Sequence, residues 1–246
     1  MLNVLVFLLK LLSLSSTLQS VFAWMTMTTN NPKILGICGG IGSGKSCASR
    51  LLVEQLSCWQ HLEADRMAHA VYAVGSSAVD DIAKEFGPSV LQENGEINRV
   101  VLGGIVFSDP TKMTALEHIV WPYVRQEIIA AIDNKGKETL PQDMHHIIVL
   151  EAAVLIDAGW EDLLDGLWVI SVKPETALQR LMEQRGLTKE EAETRIQAQQ
   201  SRRGIGNLED EVKKGIVTKV INNDGDLESL MIKLQAALCD PSAWSS

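Results

Sequence analysis

The stretch GICGGIGSGKSCASRLL, Gly36 to Leu52, places Gly39, Gly44, Lys45 and Ser46 on the pattern G-x-x-x-x-G-K-[ST]. It follows a short apolar run, Lys33 to Cys38, and leads into Leu51, Leu52 and Leu56 at helical spacing. Strand, glycine-rich loop and helix in that order form an anion cradle. The glycines let successive backbone N–H groups curl inward, and the helix adds the positive end of its dipole. Lys45 can then reach the β and γ phosphates and Ser46 can ligate Mg²⁺. The cradle is expected to comprise Gly39, Gly40, Ile41, Gly42, Ser43, Gly44, Lys45, Ser46 and Cys47. The bland alternative is a glycine-rich turn that matches by chance, and the flanking strand and helix argue against it. The loop alone does not say whether its phosphate belongs to a donor ATP, a timing GTP or a structural nucleotide.

Working outward, the chain alternates strands with helices. Strand patterns cover Trp59 to Glu63, His146 to Leu150, Leu167 to Val172 and Gly215 to Ile221. Helices are expected from Met67, over Ser77 to Phe86, and from Pro110 behind the capping Asp109, with a kink at Pro122. Others follow from Pro174, from the capping box Thr188-x-x-Glu191, and over Asp226 to Leu238. This order predicts an α/β fold with a parallel sheet flanked by helices on both faces. Ligands of such sheets gather at the carboxyl ends of the strands. The end of the second strand carries Glu63, Asp65 and His69. A kinase needs a carboxylate where an acceptor hydroxyl loses its proton, which makes Asp65 the candidate base and Glu63 the backup. A helix cap at Asp65 stays open as the structural alternative, and His69 reads as a helix-surface residue. Arg180, Arg185, Arg195, Arg202 and Arg203 occupy more helical hairpin than a crossover needs. They suit a lid closing over a transferred phosphate, although a solvated helix with pairs such as Glu191 and Arg195 explains some of them equally well.

The 246 residues suffice for one domain with an insertion. A net charge of -9 without a basic stripe makes nucleic acid an unsuitable partner. Four cysteines, Cys38, Cys47, Cys58 and Cys239, form no C-x-x-C pair and suit a reducing compartment. Residues 1–31 read as a targeting or leader segment, apolar but broken by Lys10, with Val21-x-Ala23 as a site a signal peptidase accepts. Three readings compete: a cleaved organelle-directed segment, a cytoplasmic protein started at Met25 or Met27, and an uncleaved anchor. Only the last gives membrane contact. Oligomeric state is left open.

GGIGSGKS, LEADRMAHAVY, VLQENGEINRVVLGGIVF, VLEAAVLIDAGW, RLMEQRGLTKEEAETRIQAQ and VINNDGDLESL, in that order, resemble the blocks of dephospho-CoA kinase, from about Ile34 to Leu238. Trp121-Pro122 and EAAVLIDAGW look most like the kinase domain of animal bifunctional CoA synthase. The resemblance implies a P-loop NTPase fold over residues 32–240, with acceptor-binding helices at about 66–135 and a helical lid at about 174–206. It implies ATP and Mg²⁺ as donor and metal, and transfer of the γ-phosphate to the 3′-hydroxyl of the dephospho-CoA ribose. Asp65 matches the family's general base, Lys45 and Ser46 its phosphate and Mg²⁺ ligands, and Arg185 its lid arginine. Arg180, Arg195 and Gln199 match the same lid pattern, Asn223 the asparagine near the adenine, and Arg99 the arginine in the region covering the acceptor. Glu151 stands where the family generally has Asp and would orient Mg²⁺ through water. Glu63, Asp157, Thr218 and Trp121 depart as well. With about thirty residues before the first strand, the chain is expected to perform one step and to receive dephospho-CoA from another protein.

Overall fold

The computed structural model describes residues 31–202 and 208–245, with side chains omitted from 200 to 202. The leader reading therefore falls almost wholly outside the described residues, as does Arg203, and the Arg202 side chain is not described. Five strands, β1 (Lys33–Gly39), β2 (Cys58–Glu63), β3 (His145–Glu151), β4 (Gly166–Ser171) and β5 (Lys219–Asn222), form one sheet in the order β2-β3-β1-β4-β5. Every pairing is parallel. The helices in chain order are α1 (Lys45–Glu54), α2 (Ala64–Val71), α3 (Ser77–Phe86), α4 (Arg99–Ser108), α5 (Pro110–Gly136), α6 (Pro174–Arg185), α7 (Lys189–Arg202), α8 (Leu208–Lys213) and α9 (Leu227–Leu238).

The central strands are apolar along almost their whole length because both faces are covered. Leu35, Ile37, Val149, Trp168 and Ile170 face one core with Ala48 and Leu52 of α1 and Leu230 and Leu234 of α9. Ile34, Cys38, Ile148, Leu150 and Val169 face the other, filled by α2 to α5 through Val71, Ile82, Leu102, Val124 and Ile128. Side-chain oxygens of Ser76, Asn98, Asp109 and Asp226 accept from first-turn amides and so fix where α3, α4, α5 and α9 begin. No described helix is long and apolar enough to cross a membrane.

Four features differ from the expectations. Helix α2 begins at Ala64, directly off β2, so Asp65 lies inside the first turn and does not cap the helix. Helix α8 carries no expectation, and α4 has none from its own residue pattern, only from the acceptor-binding helices that the resemblance implies. Helix α5 runs as one element through Pro122, which has no N–H to offer the carbonyl one turn back. The last strand is four residues long, Lys219–Asn222, because the chain before it serves α8 and its turn.

The amino-terminal edge of the sheet is sealed by the chain after α9. Trp168 Nε1 donates to Ala243 O at 2.7 Å, and Thr218 Oγ1 donates to the same carbonyl at 2.7 Å. Thr218 also accepts from Leu167 N at 3.0 Å. Trp244 packs edge-on against Trp168, with ring centroids 5.7 Å apart. Replacing Trp244 by Ala opens a void beside a fully buried indole, so Trp244→Ala should cost about 3–5 kcal/mol. Urea unfolding of the variant checks this.

Candidate active site

Strand β1 ends in the glycine-rich loop, and the loop ends in α1. Gly44, the residue before α1, has φ +87°, and a Cβ there would meet Asn223 Nδ2 at 2.4 Å. Both conformation and space therefore require glycine at this point. The first-turn amides of α1 have no partner within the helix and face outward from its positive end. Lys45 is half-buried, and its charge is felt at both Cys38 and Glu151. Burial raises the Cys38 thiol to about 12, with Lys45 lowering and Asp157 raising it in turn, so this cysteine is inert as a thiolate.

The loop is held from outside by two distant segments. Asn223, buried just past β5, donates through Nδ2 to Ser43 O at 2.7 Å. Arg180 of α6 donates to Asn223 O at 2.8 Å and lies 3.4 Å from the carbonyls of Gly42 and Ser43. Arg180, Arg185 and Asn223 join Gly40, Gly42, Gly44, Lys45, Ser46 and Cys47 around a cavity of about 510 Å³. The sequence thus brings its nucleotide candidates together. Arg185 ends α6 and is exposed beside that cavity. Arg195 is exposed on α7. The Glu191–Arg195 pair of the solvated-helix alternative is not formed among the described residues: Glu191 Oε2 accepts from Thr188 N at 2.9 Å and completes the capping box. Farther along α7, Gln199 Oε1 accepts from Ile41 N of the loop.

On the other side of the loop, Glu63 and Glu151 lie in register at the ends of β2 and β3, with Ile37 of β1 beside Glu151. Glu151 is 6% exposed. Its Oε1 accepts from Ser46 Oγ at 2.5 Å and its Oε2 lies 2.9 Å from His61 Nε2. Burial pushes the Glu151 carboxyl up, but the bonds from His61 and Ser46 and the Lys45 charge outweigh it and hold the group below its usual value. Ser46 and Glu151 therefore present hard oxygens side by side, a donor set that fits Mg²⁺. Among the described residues no group of three or more His, Cys, Asp or Glu cages an ion alone. Mg²⁺ sites completed by substrate phosphates and water do not require one.

Asp65 is exposed at the head of α2 and makes no hydrogen bond or ion pair among the described residues. Glu63 accepts from Arg66 at 3.3 Å. A second cavity, about 710 Å³, lies beyond them between α4, α5 and the end of α7, with Arg99, Leu102, Phe107, Met113 and Gln199 among its lining residues. Arg99 Nη2 lies 3.0 Å from His69 Nδ1, and its guanidinium sits 5.8 Å from the Tyr72 ring centroid. His69, read from sequence as a surface residue, thus holds a candidate acceptor-side arginine. His61 was missed outright, and the only signal for it is its place two residues before Glu63 on the same face of β2.

A sequence profile of the dephospho-CoA kinase family matches residues 33–229. A dephospho-CoA kinase of Symbiobacterium thermophilum is 36% identical over 205 residues, covering 83% of this chain and 80% of that protein. One from Bacillus cereus is 38% identical, covering 83% of this chain and 95% of its own. The crystal structure of a Thermus thermophilus protein superimposes with a TM-score of 0.63 at 30% identity, covering 85% of this chain and 97% of that one. With the loop, the parallel sheet and its matching relatives all on one chain, this protein belongs to the dephospho-CoA kinase family.

Proposed function

We propose that the protein transfers the γ-phosphoryl group of ATP to the 3′-hydroxyl of the dephospho-CoA ribose, giving CoA and ADP, the last step of coenzyme A synthesis. The observation that carries this reading is Gln199, which bonds the phosphate loop and also lines the larger cavity. A donor site and a roomy, largely apolar acceptor site therefore meet at one lid residue.

In this reading the loop amides and Lys45 hold the triphosphate, and Asn223 and Arg180 keep the loop in its curled form. Ser46 and, through water, Glu151 would hold Mg²⁺, which would supply charge neutralisation on the transferring phosphates. Asp65 takes the proton as the acceptor oxygen bonds to the γ-phosphorus and the bond to the β-γ bridging oxygen breaks. ADP leaves with that oxygen, and the proton returns to solvent. Arg185 closes over the phosphoryl group as its charge shifts. Arg99 meets the acceptor at the mouth of the larger cavity, held by His69 and Tyr72. The acceptor helices span about 66–135 and the lid about 174–206.

Incubation with ATP, Mg²⁺ and dephospho-CoA, with nucleoside monophosphates as competing acceptors, tests the reading by mass spectrometry. Dephospho-CoA converted to CoA by a phosphate on the ribose 3′ position supports it. Phosphorylated nucleotides would replace the acceptor, and no product with any acceptor would leave a nucleotide-binding protein. Lys45→Ala should lower turnover by about 10² to 10³ fold, the scale for losing one preorganised charge at the transferring group. Asp65→Asn should cut turnover by about 10² to 10⁴ fold while nucleotide affinity, read by calorimetry, holds. Asn223→Ala leaves the Ser43 carbonyl without its short donor and should cost about 1–3 kcal/mol of stability. Urea unfolding measures that loss, and weaker ADP binding should accompany it.

A further inference from the structure

His61 has no part in the transfer described above, yet it makes one of the two bonds that define the Glu151 carboxylate. Its side chain is 15% exposed and that of Glu151 7%, so neither is free to reorient in solvent. It reaches Glu151 from the neighbouring strand, where His61 stands in register with Val149 and Glu63 with Glu151. An ionised carboxylate only accepts hydrogen bonds, so the proton between the two groups sits on His61 Nε2. With Oε2 committed to the ring, Oε1 is left to Ser46 Oγ. Glutamate has one more rotatable bond than aspartate, so a second anchor matters for its aim. Metal-site carboxylates depend on such outer partners for their aim.

We propose that His61 is a positioning residue for the metal site. By donating Nε2–H to Oε2 it holds the Glu151 carboxylate with Oε1 on the Ser46 side, where the Mg²⁺ that accompanies the nucleotide would be held. This rests on the nucleotide reading of the loop. A purely structural histidine would stabilise the fold without altering how Mg²⁺ strengthens nucleotide binding.

The test uses the full chain and a non-hydrolysable ATP analogue, titrated by calorimetry with and without Mg²⁺. Wild-type protein should bind the analogue more tightly with Mg²⁺. His61→Val, whose side chain suits a strand, should lose about 10-fold or more of that gain while metal-free affinity holds. His61→Gln, which restores an N–H donor, should recover it. An undiminished Mg²⁺ gain in His61→Val overturns the proposal, as does a wild type whose affinity ignores Mg²⁺. Failure of the wild type to bind the analogue at all would instead sink the nucleotide reading. A measurement without any variant is the ¹⁵N spectrum of the His61 ring at neutral pH, where Nε2 should carry a proton. An unprotonated Nε2 overturns the proposal even if His61→Val does not fold.

Discussion

A backbone that turns its amides toward a phosphate must turn its carbonyls away from it, and those carbonyls need donors when they are buried. Here they are Gly42 O and Ser43 O, and the donors come from two segments far away in sequence. Asn223 can serve only if β5 pairs with β4 and brings its end level with the loop, which the register of Ser171 with Asn222 achieves. Arg180 can serve only if α6 leaves β4 at Pro174 and packs Ala177 and Leu181 inward. The loop's shape thus sets the placement of a strand, a helix and the entry to the lid. Gly44 is the point of closest approach, where a single added carbon would displace Asn223.

Much of this arrangement is legible in the sequence because it depends on neighbours along the chain. The glycine motif acts within eight residues, and the Asp109-Pro110 start and the Thr188 to Glu191 capping box within four. Helix α4 was not legible. Gly103-Gly104 lies at its centre, and Val100 and Phe107 are 85% and 67% exposed, so no polar face alternates with an apolar one. Tertiary packing of Leu102 and Val106, with the cap from Asn98, makes it a helix despite its composition. The start of α2 was misplaced for a related reason: no Ser, Thr, Asp or Asn stands before Ala64, and Glu63 occupies the cap position without bonding the helix.

The partners that hold the site's carboxylate and loop were the least legible part, since they join residues far apart in sequence. The bond from His61 to Glu151 spans 90 positions and that from Asn223 to Ser43 spans 180. Neither leaves a local pattern. Each follows only once the strand order β2-β3-β1-β4-β5 is known, because that order sets β2 beside β3 and β5 on the far side of β4.

That same order divides three nearby carboxylates by what surrounds them. Glu151 is buried with one oxygen on Ser46 and the other on His61, so both of its faces are occupied and it is suited to holding charge in place. Glu63 is drawn to Arg66, one helical turn onward. Asp65 lies in the first turn of a helix that takes nothing from its side chain, just past the carboxyl end of β2, with no described partner. A group that must accept a proton from an incoming hydroxyl needs vacant lone pairs and access from outside. A group that must aim a metal needs the opposite. Helix α2 starting at Ala64 rather than Met67 makes that division possible: had Asp65 capped the helix, its oxygens would have been spent on backbone amides.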